Sequence, residues 1–162
     1  MKFILIIASL FLFCIFILGC KGDQGPTGPV GQSGSFDKQI RLDFGYGGIS
    51  TSDTAGKFSS GMSNLLKFKK SDYVDVDSIV FVTSVGVESP ASMVIQLYDL
   101  TDSLYIPNAQ ITTTQPWETV VQTGNIFNDL PDKDIDIAIH IRTTIEGKYV
   151  QTGSAVLFLY RR

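Results

Sequence analysis

From residue 36 onward the hydrophobic pattern has a period of two. Ile40, Leu42 and Phe44 alternate with Arg41 and Asp43. Val74 and Val76 alternate with Asp75 and Asp77, then the pattern thickens into Ile79-Val80-Phe81-Val82. Met93, Ile95 and Leu97 alternate with less apolar neighbours as far as Asp99, and residues 117–123 are a β-branched run opened by Trp117. Ile135, Ile137, Ile139 and Ile141 alternate with Asp136, Ala138, His140 and Arg142. Successive side chains of a strand point to opposite faces, so each segment predicts a half-buried strand, 135–141 most cleanly. Residues 65–69 predict a further short one. Residues 155–160 are apolar at every position, which predicts a strand covered on both faces, central in a sheet or against a partner. No long segment has helical period.

Turn-forming residues separate these runs: Gly45-Tyr46-Gly47-Gly48, Ser89-Pro90, Pro107-Asn108, Gly124-Asn125, Leu130-Pro131-Asp132 and Glu146-Gly147-Lys148. The polar, Gly/Ser-rich stretch 45–64 predicts loops or frayed edge strands. Seven or eight short strands over about 120 residues predict an all-β fold, an antiparallel two-sheet β-sandwich. The second half has a recognisable order. A strand ends in Tyr98-Asp99-Leu100-Thr101, a turn at Pro107-Asn108 precedes Thr112-Thr113-Thr114 and Trp117-Glu118-Thr119-Val120, and a Leu-Pro-Asp loop leads into the Ile-alternating strand and a final apolar one. In pattern this resembles the jelly-roll domains of carbohydrate-binding modules and of trimeric, collagen-linked heads. The resemblance implies a jelly-roll-like sandwich and no particular function.

The first 35 residues are built differently. Lys2 is followed by residues 3–18, apolar except for Ser9, and Ile17-Leu18-Gly19-Cys20 closes the run. This resembles the bacterial lipobox: an aliphatic residue at −3, a small residue at −1 and the acceptor cysteine at +1, with Leu18 larger than usual at −2. The resemblance implies a signal helix over 1–19, cleaved before Cys20, and a diacylglycerol on the Cys20 sulfur. Two or three acyl chains hold a protein stably in a lipid bilayer, because each buried methylene contributes about 0.8 kcal/mol. Lys21 stands where, in some bacteria, an Asp would favour retention in the inner membrane. The implied location is the bacterial cell envelope, at the outer membrane or cell surface. The alternative is an uncleaved anchor helix that ends in Cys.

Glycine then recurs at every third position: Gly22, Gly25, Gly28, Gly31 and Gly34, with Pro26 and Pro29 directly after two of them. The run resembles a short collagen triplet repeat. That period exists because three polyproline-II chains crowd at one axis where only Gly fits. Four triplets are too few to hold three chains together alone. Residues 20–35 therefore read either as a spacer, reaching roughly 40 Å at about 3.1 Å per residue, or as a triple helix kept in register by a trimeric head. The domain organisation is thus 1–19 signal peptide, 20–35 lipidated Cys and collagen-like spacer, and 36–162 β-sandwich.

Composition narrows the chemistry. The chain has 13 Lys and Arg against 16 Asp and Glu. Loss of 1–19 removes Lys2 alone and makes the balance more acidic, so there is no basic field to suit nucleic acid. Of two cysteines, Cys14 leaves with the leader and Cys20 carries lipid, so the head has no thiol for a disulfide, a metal or catalysis. His140 is the only histidine and falls on the polar face of its strand, as an ordinary exposed residue would. A transition-metal site is not expected. Two acidic groups, Asp72, Asp75 and Asp77, and Asp129, Asp132, Asp134 and Asp136, offer the oxygen ligands a structural Ca²⁺ would use, and equally describe solvated faces.

Trp117 is the single tryptophan. With Tyr98, Tyr105 or Tyr46 it could form an aromatic surface for stacking sugar rings; otherwise it packs in the sandwich. No carboxylate pair has the spacing of a glycosidase, and no glycine-rich loop that follows a strand opens a helix. The expectation is a non-catalytic, lipid-anchored lipoprotein that displays a sandwich head for adhesion or assembly, as a homotrimer if the Gly-X-Y run is a stalk. A carbohydrate-binding module retaining glycan at the cell surface is the alternative. Its ligand, glycan or protein, is not named by the sequence.

Overall fold

Alternating strands bury one face each, and here they do so in two sheets laid face to face. A computed structural model describes residues 38–45 and 48–162, within a unit spanning Phe36–Arg162. The signal segment, Cys20 and the Gly-X-Y run lie outside the described residues, as does Tyr46. The strands are β1 Gln39–Asp43, β2 Ser50–Thr51, β3 Lys57–Phe58, β4 Leu65–Phe68, β5 Val76–Val87, β6 Met93–Asp99, β7 Leu104–Thr113, β8 Thr119–Gln122, β9 Ile135–Thr143 and β10 Val150–Arg161.

Sheet A runs β1-β10-β5-β8, with β2 beside the start of β10. Sheet B runs β3-β9-β6-β7, with β4 also on β9. Every pairing is antiparallel. If β3 and β4 are taken as one broken strand, the two sheets have the interleaved order of a jelly roll, first beside last and second beside next-to-last. The all-apolar run 155–160 is the end of β10, which lies between β1 and β5 in sheet A.

The core lies between the sheets. Sheet A contributes Ile79, Phe81, Leu157 and Leu159, sheet B contributes Ile95, Leu97, Ile137 and Ile141, and all eight are wholly buried. Burial of each such side chain contributes roughly 1.5–3 kcal/mol. Ser59 and Asp99, polar residues buried in this fold, are hydrogen-bonded, as an interior requires. Ser59 Oγ accepts the Ile139 N–H at 2.8 Å and donates to Asn64 Oδ1 at 2.6 Å. Asp99 accepts the N–H groups of Thr101 and Asp102, closing the β6–β7 turn. Past Gln122, side chains continue the β8 ladder: Thr123 Oγ1 accepts from Phe81 N–H, and Asn125 Oδ1 from Ile79 N–H.

Pro107-Asn108 is not a turn between strands. Both residues lie inside β7, where the register against β6 slips between Gln96 and Tyr98 and Asn108 takes a φ of 55°. β7 is the outer strand of sheet B. At an edge the missing proline N–H costs no ladder bond, and the extra residues are absorbed as a bulge.

Candidate functional site

Strand register brings the aromatic residues together in two places, one on each sheet. On sheet B, Ile135, Ile137, Ile139 and Ile141 face the core, so His140 faces outward. Opposite it stand Gln96 on β6 and Phe58 on β3. Tyr98 is paired with Tyr105 across the β6–β7 ladder. The four rings of Phe58, Tyr98, Tyr105 and His140 therefore form one cluster. Ring centroids are 4.9 Å apart for Phe58–Tyr98, 5.0 Å for Tyr98–Tyr105 and 4.3 Å for Phe58–His140. The tyrosine contacts are edge-to-face, at 61° and 74°. Phe58 and Tyr105 remain 41% and 44% exposed, and the edge-to-face packing turns neighbouring rings out of a common plane.

His140 is buried, 7% exposed, in contrast to the expected solvated position. The residues around Gly56 cover it: a Cβ at Gly56 would collide with the ring nitrogen Nε2. Tyr105 Oη lies 3.2 Å from Nδ1. Burial pushes the His140 pKa below its ordinary value, a hydrogen bond with the Ala55 backbone opposes this, and the nearby Arg142 charge adds to the depression. A histidine that is neutral in the fold stabilises it fully above its unfolded pKa near 6.5, and that stability is lost as pH falls through the lower folded pKa. The thermal stability of the wild type should therefore fall relative to that of His140→Gln as pH drops below about 6.5. The relative slope should not exceed about 1.4 kcal/mol per pH unit, the limit for one proton. Parallel pH profiles for the two proteins would show that His140 is not the group responsible.

Trp117 is not part of this cluster. It lies in the loop before β8, against sheet A, and its ring partner is Tyr149, with centroids 5.8 Å apart and planes at 30°. Gly86 of β5 makes the seat, since a Cβ there would collide with the six-membered ring of the indole. Of the expected aromatic residues, then, Tyr98 and Tyr105 meet on sheet B, and Trp117 stands apart with a partner that periodicity did not reveal. One signal was available: a glycine inside a long apolar strand often marks a close approach.

The third surface is the outer face of sheet A. β5 and β10 bury Ile79, Phe81, Leu157 and Leu159, so Val80, Val82, Val156 and Phe158 point the other way. The ladder sets Phe158 beside Val80 and Val156 beside Val82. Val120 of β8, 65% exposed, and Tyr160, 38% exposed, extend the patch. A shallow groove of about 320 Å³ crosses it between Val82, Val120, Val156 and Phe158. Arg41 and Ser154 border this groove and a neighbouring cleft of about 480 Å³, which opens between Gly45, Gly48 and Gly153. Gly153 and Ser154 sit in a bulge of β10, between Thr152 and Ala155.

Three of the seven residues in the two acidic groups are engaged in the structure's own turns and ends. Asp136 accepts the Lys67 N–H at 2.8 Å, Asp129 the Asn108 amide at 2.9 Å, and Asp77 the Arg162 guanidinium at 2.9 Å. Among the described residues no three His, Cys, Asp or Glu side chains converge as metal ligands would. No protein-family model matches this chain, and no curated protein resembles it in sequence closely enough to count as a relative.

Proposed function

We propose that this chain is a lipid-anchored bacterial envelope protein whose sandwich head assembles with copies of itself and serves adhesion or structural display, not catalysis. The observation that carries the reading is the apolar outer face of sheet A. A sandwich strand facing water alternates apolar with polar, yet Val80, Val82, Val120, Val156, Phe158 and Tyr160 share this face. Contiguous apolar patches of several hundred Å² on soluble domains usually mark an interaction site. The apolar positions lie on β5, β10 and β8 and are bordered by Arg41 of β1 and Gln122 of β8, the arrangement of an apolar interface centre with a polar rim.

Two features of the sequence favour a second and third copy as the partner. The Gly-X-Y period of 22–34 has its physical rationale in three chains. The chain preceding β1 joins the sandwich at Gln39, which pairs with Tyr160 at one end of this same face. Anchoring through Cys20 would confine the copies to one surface and raise their effective concentration.

Sedimentation equilibrium of 36–162 and of 21–162 is expected to give trimers. Phe158→Glu should return both to monomers with unchanged far-UV circular dichroism. Wild-type monomers at tens of micromolar would overturn the assembly reading. Separately, Cys20→Ala should move the protein from the membrane fraction to the soluble one. Retention after detergent-free washing would remove the lipid anchor from the proposal.

A further inference from the structure

The rings of Trp117 and Tyr149 form a platform, not a packed cluster. Gly86 is itself buried beneath the indole, so one face of Trp117 is spent on the sheet, yet the residue remains 48% exposed. Tyr149 is 39% exposed beside it, and the two planes differ by only 30°. Trp117 rests on Gly86, and the Tyr149 backbone is held beside the ladder. Glu88 N–H donates to the Tyr149 carbonyl at 3.0 Å, and Gln151, next along β10, pairs with Gly86. Side chains that are already fixed lose little entropy when a ligand arrives.

Polar groups rim the platform. The Tyr149 hydroxyl donates to Gln151 Oε1 at 3.3 Å, which leaves the Gln151 amide N–H groups as donors. Glu88 accepts from Lys148 Nζ at 2.7 Å and from Tyr149 N–H at 3.0 Å. These bonds hold its carboxyl below the usual pKa range, so it is an anionic acceptor at neutral pH. A nearly flat apolar surface edged by an amide, a carboxylate and an ammonium is complementary to a particular chemistry. A pyranose with equatorial substituents has a flat C–H face and hydroxyls around its edge. The ring spacing of 5.8 Å is close to the length of one sugar unit. A protein partner would instead be expected to insert an anchor side chain into a pocket, and these rings stand on the sheet as a raised surface.

We infer that Trp117 and Tyr149, with Gln151 and Glu88 at their rim, bind an extended, equatorially linked pyranose chain. The site lies about 26 Å along β5 from Ser78, at the opposite end of sheet A from the point where the preceding chain enters. It does not depend on the assembly reading, because every residue it uses belongs to one chain.

The protein carries its own probe, since Trp117 is the only tryptophan. The full chain in detergent micelles is titrated with cellohexaose and with chitohexaose, following tryptophan emission and heat. At least one hexasaccharide should give a saturable emission change with matching heat. Tyr149→Ala and Trp117→Ala, the latter followed by heat alone, should weaken binding roughly tenfold or more. Trp117→Phe should restore part of it, and Phe158→Glu should leave it unchanged even if that variant is monomeric. Silence from both sugars at millimolar concentration would overturn the inference. So would undiminished binding by a folded Trp117→Ala protein. A Trp117→Ala protein that changes oligomer mass, with both sugars silent in the wild type, would instead make these rings part of the assembly surface and overturn the sugar site.

Discussion

Phe81→Ala should destabilise the head by about 3–5 kcal/mol and lower its Tm by about 10–20 °C. Phe81 is wholly buried on β5, a strand paired on both edges, and meets Phe44 edge-to-face at 5.8 Å and 76°. Truncation leaves a cavity between the sheets that neighbours tied into two ladders cannot close. A domain of this size is stable by only about 5–15 kcal/mol, so the loss is a large share of the total. Phe158, on the neighbouring strand, is the control. It points away from the core, so Phe158→Ala should cost about 1 kcal/mol or less when both proteins are measured at a concentration low enough for the head to be monomeric. Calorimetry of both variants reads the difference. Similar losses for the two would mean that the inward and outward faces of sheet A are wrongly assigned.

That assignment is where the sequence was most legible. Strict alternation in 135–141 gives β9 with its isoleucines inward, because sheet B has a polar-bordered outer face for His140 and Arg142 to occupy. The unbroken apolar run of β10 predicts a central strand covered on both faces; the strand is central, between β1 and β5, but its outer positions Phe158 and Tyr160 remain partly exposed. β7 was harder to read. Its core contacts are only Ile106, Ala109 and part of Ile111, and Pro107-Asn108 interrupts the period, so a bulged edge strand has the local signature of a turn. β2 and β3 are two residues long, too short to show any period.

The candidate sites were legible only as residue types. Trp117 could be singled out as the lone indole, but its partner Tyr149 is 32 positions away and is delivered by the pairing of β5 with β10. Tyr98 and Tyr105 could be guessed as neighbours of Trp117 from their chemistry. Register instead commits them to the other sheet, around His140. His140 is hidden by a covering loop, a long-range event that alternation on β9 cannot encode. The consequence for function is a division of labour across sheet A. Its inner face supplies stability, its outer centre is apolar and open, and its far end holds the only pair of exposed, nearly parallel rings among the described residues.

Gly45→Ala is the second substitution expected to have a large effect, about 2–4 kcal/mol. Gly45 closes β1 and begins the glycine cluster that borders the cleft beside Arg41. It adopts a φ of 71°, which a side chain disfavours, and any Cβ would collide with the backbone carbonyl of Met62. That carbonyl belongs to the 3-10 turn Gly61–Ser63, between the Ser59 and Asn64 side chains that hydrogen-bond each other. Relief of the clash would therefore disturb the segment whose Ser59 satisfies the Ile139 N–H of the core strand. Gly61 separates the two components of the cost. Its φ is 56°, but open space surrounds the position, so Gly61→Ala should register backbone strain alone, about 1 kcal/mol. Gly124, with neither a positive φ nor a neighbour within 4 Å, should accept Ala with a change within about 0.5 kcal/mol. Urea unfolding of the three variants should rank Gly45→Ala well below Gly61→Ala, and Gly61→Ala slightly below Gly124→Ala. If Gly45→Ala matched Gly61→Ala, the Met62 carbonyl would be free to move, and the cleft beside Arg41 would be pliable instead of fixed by its backbone.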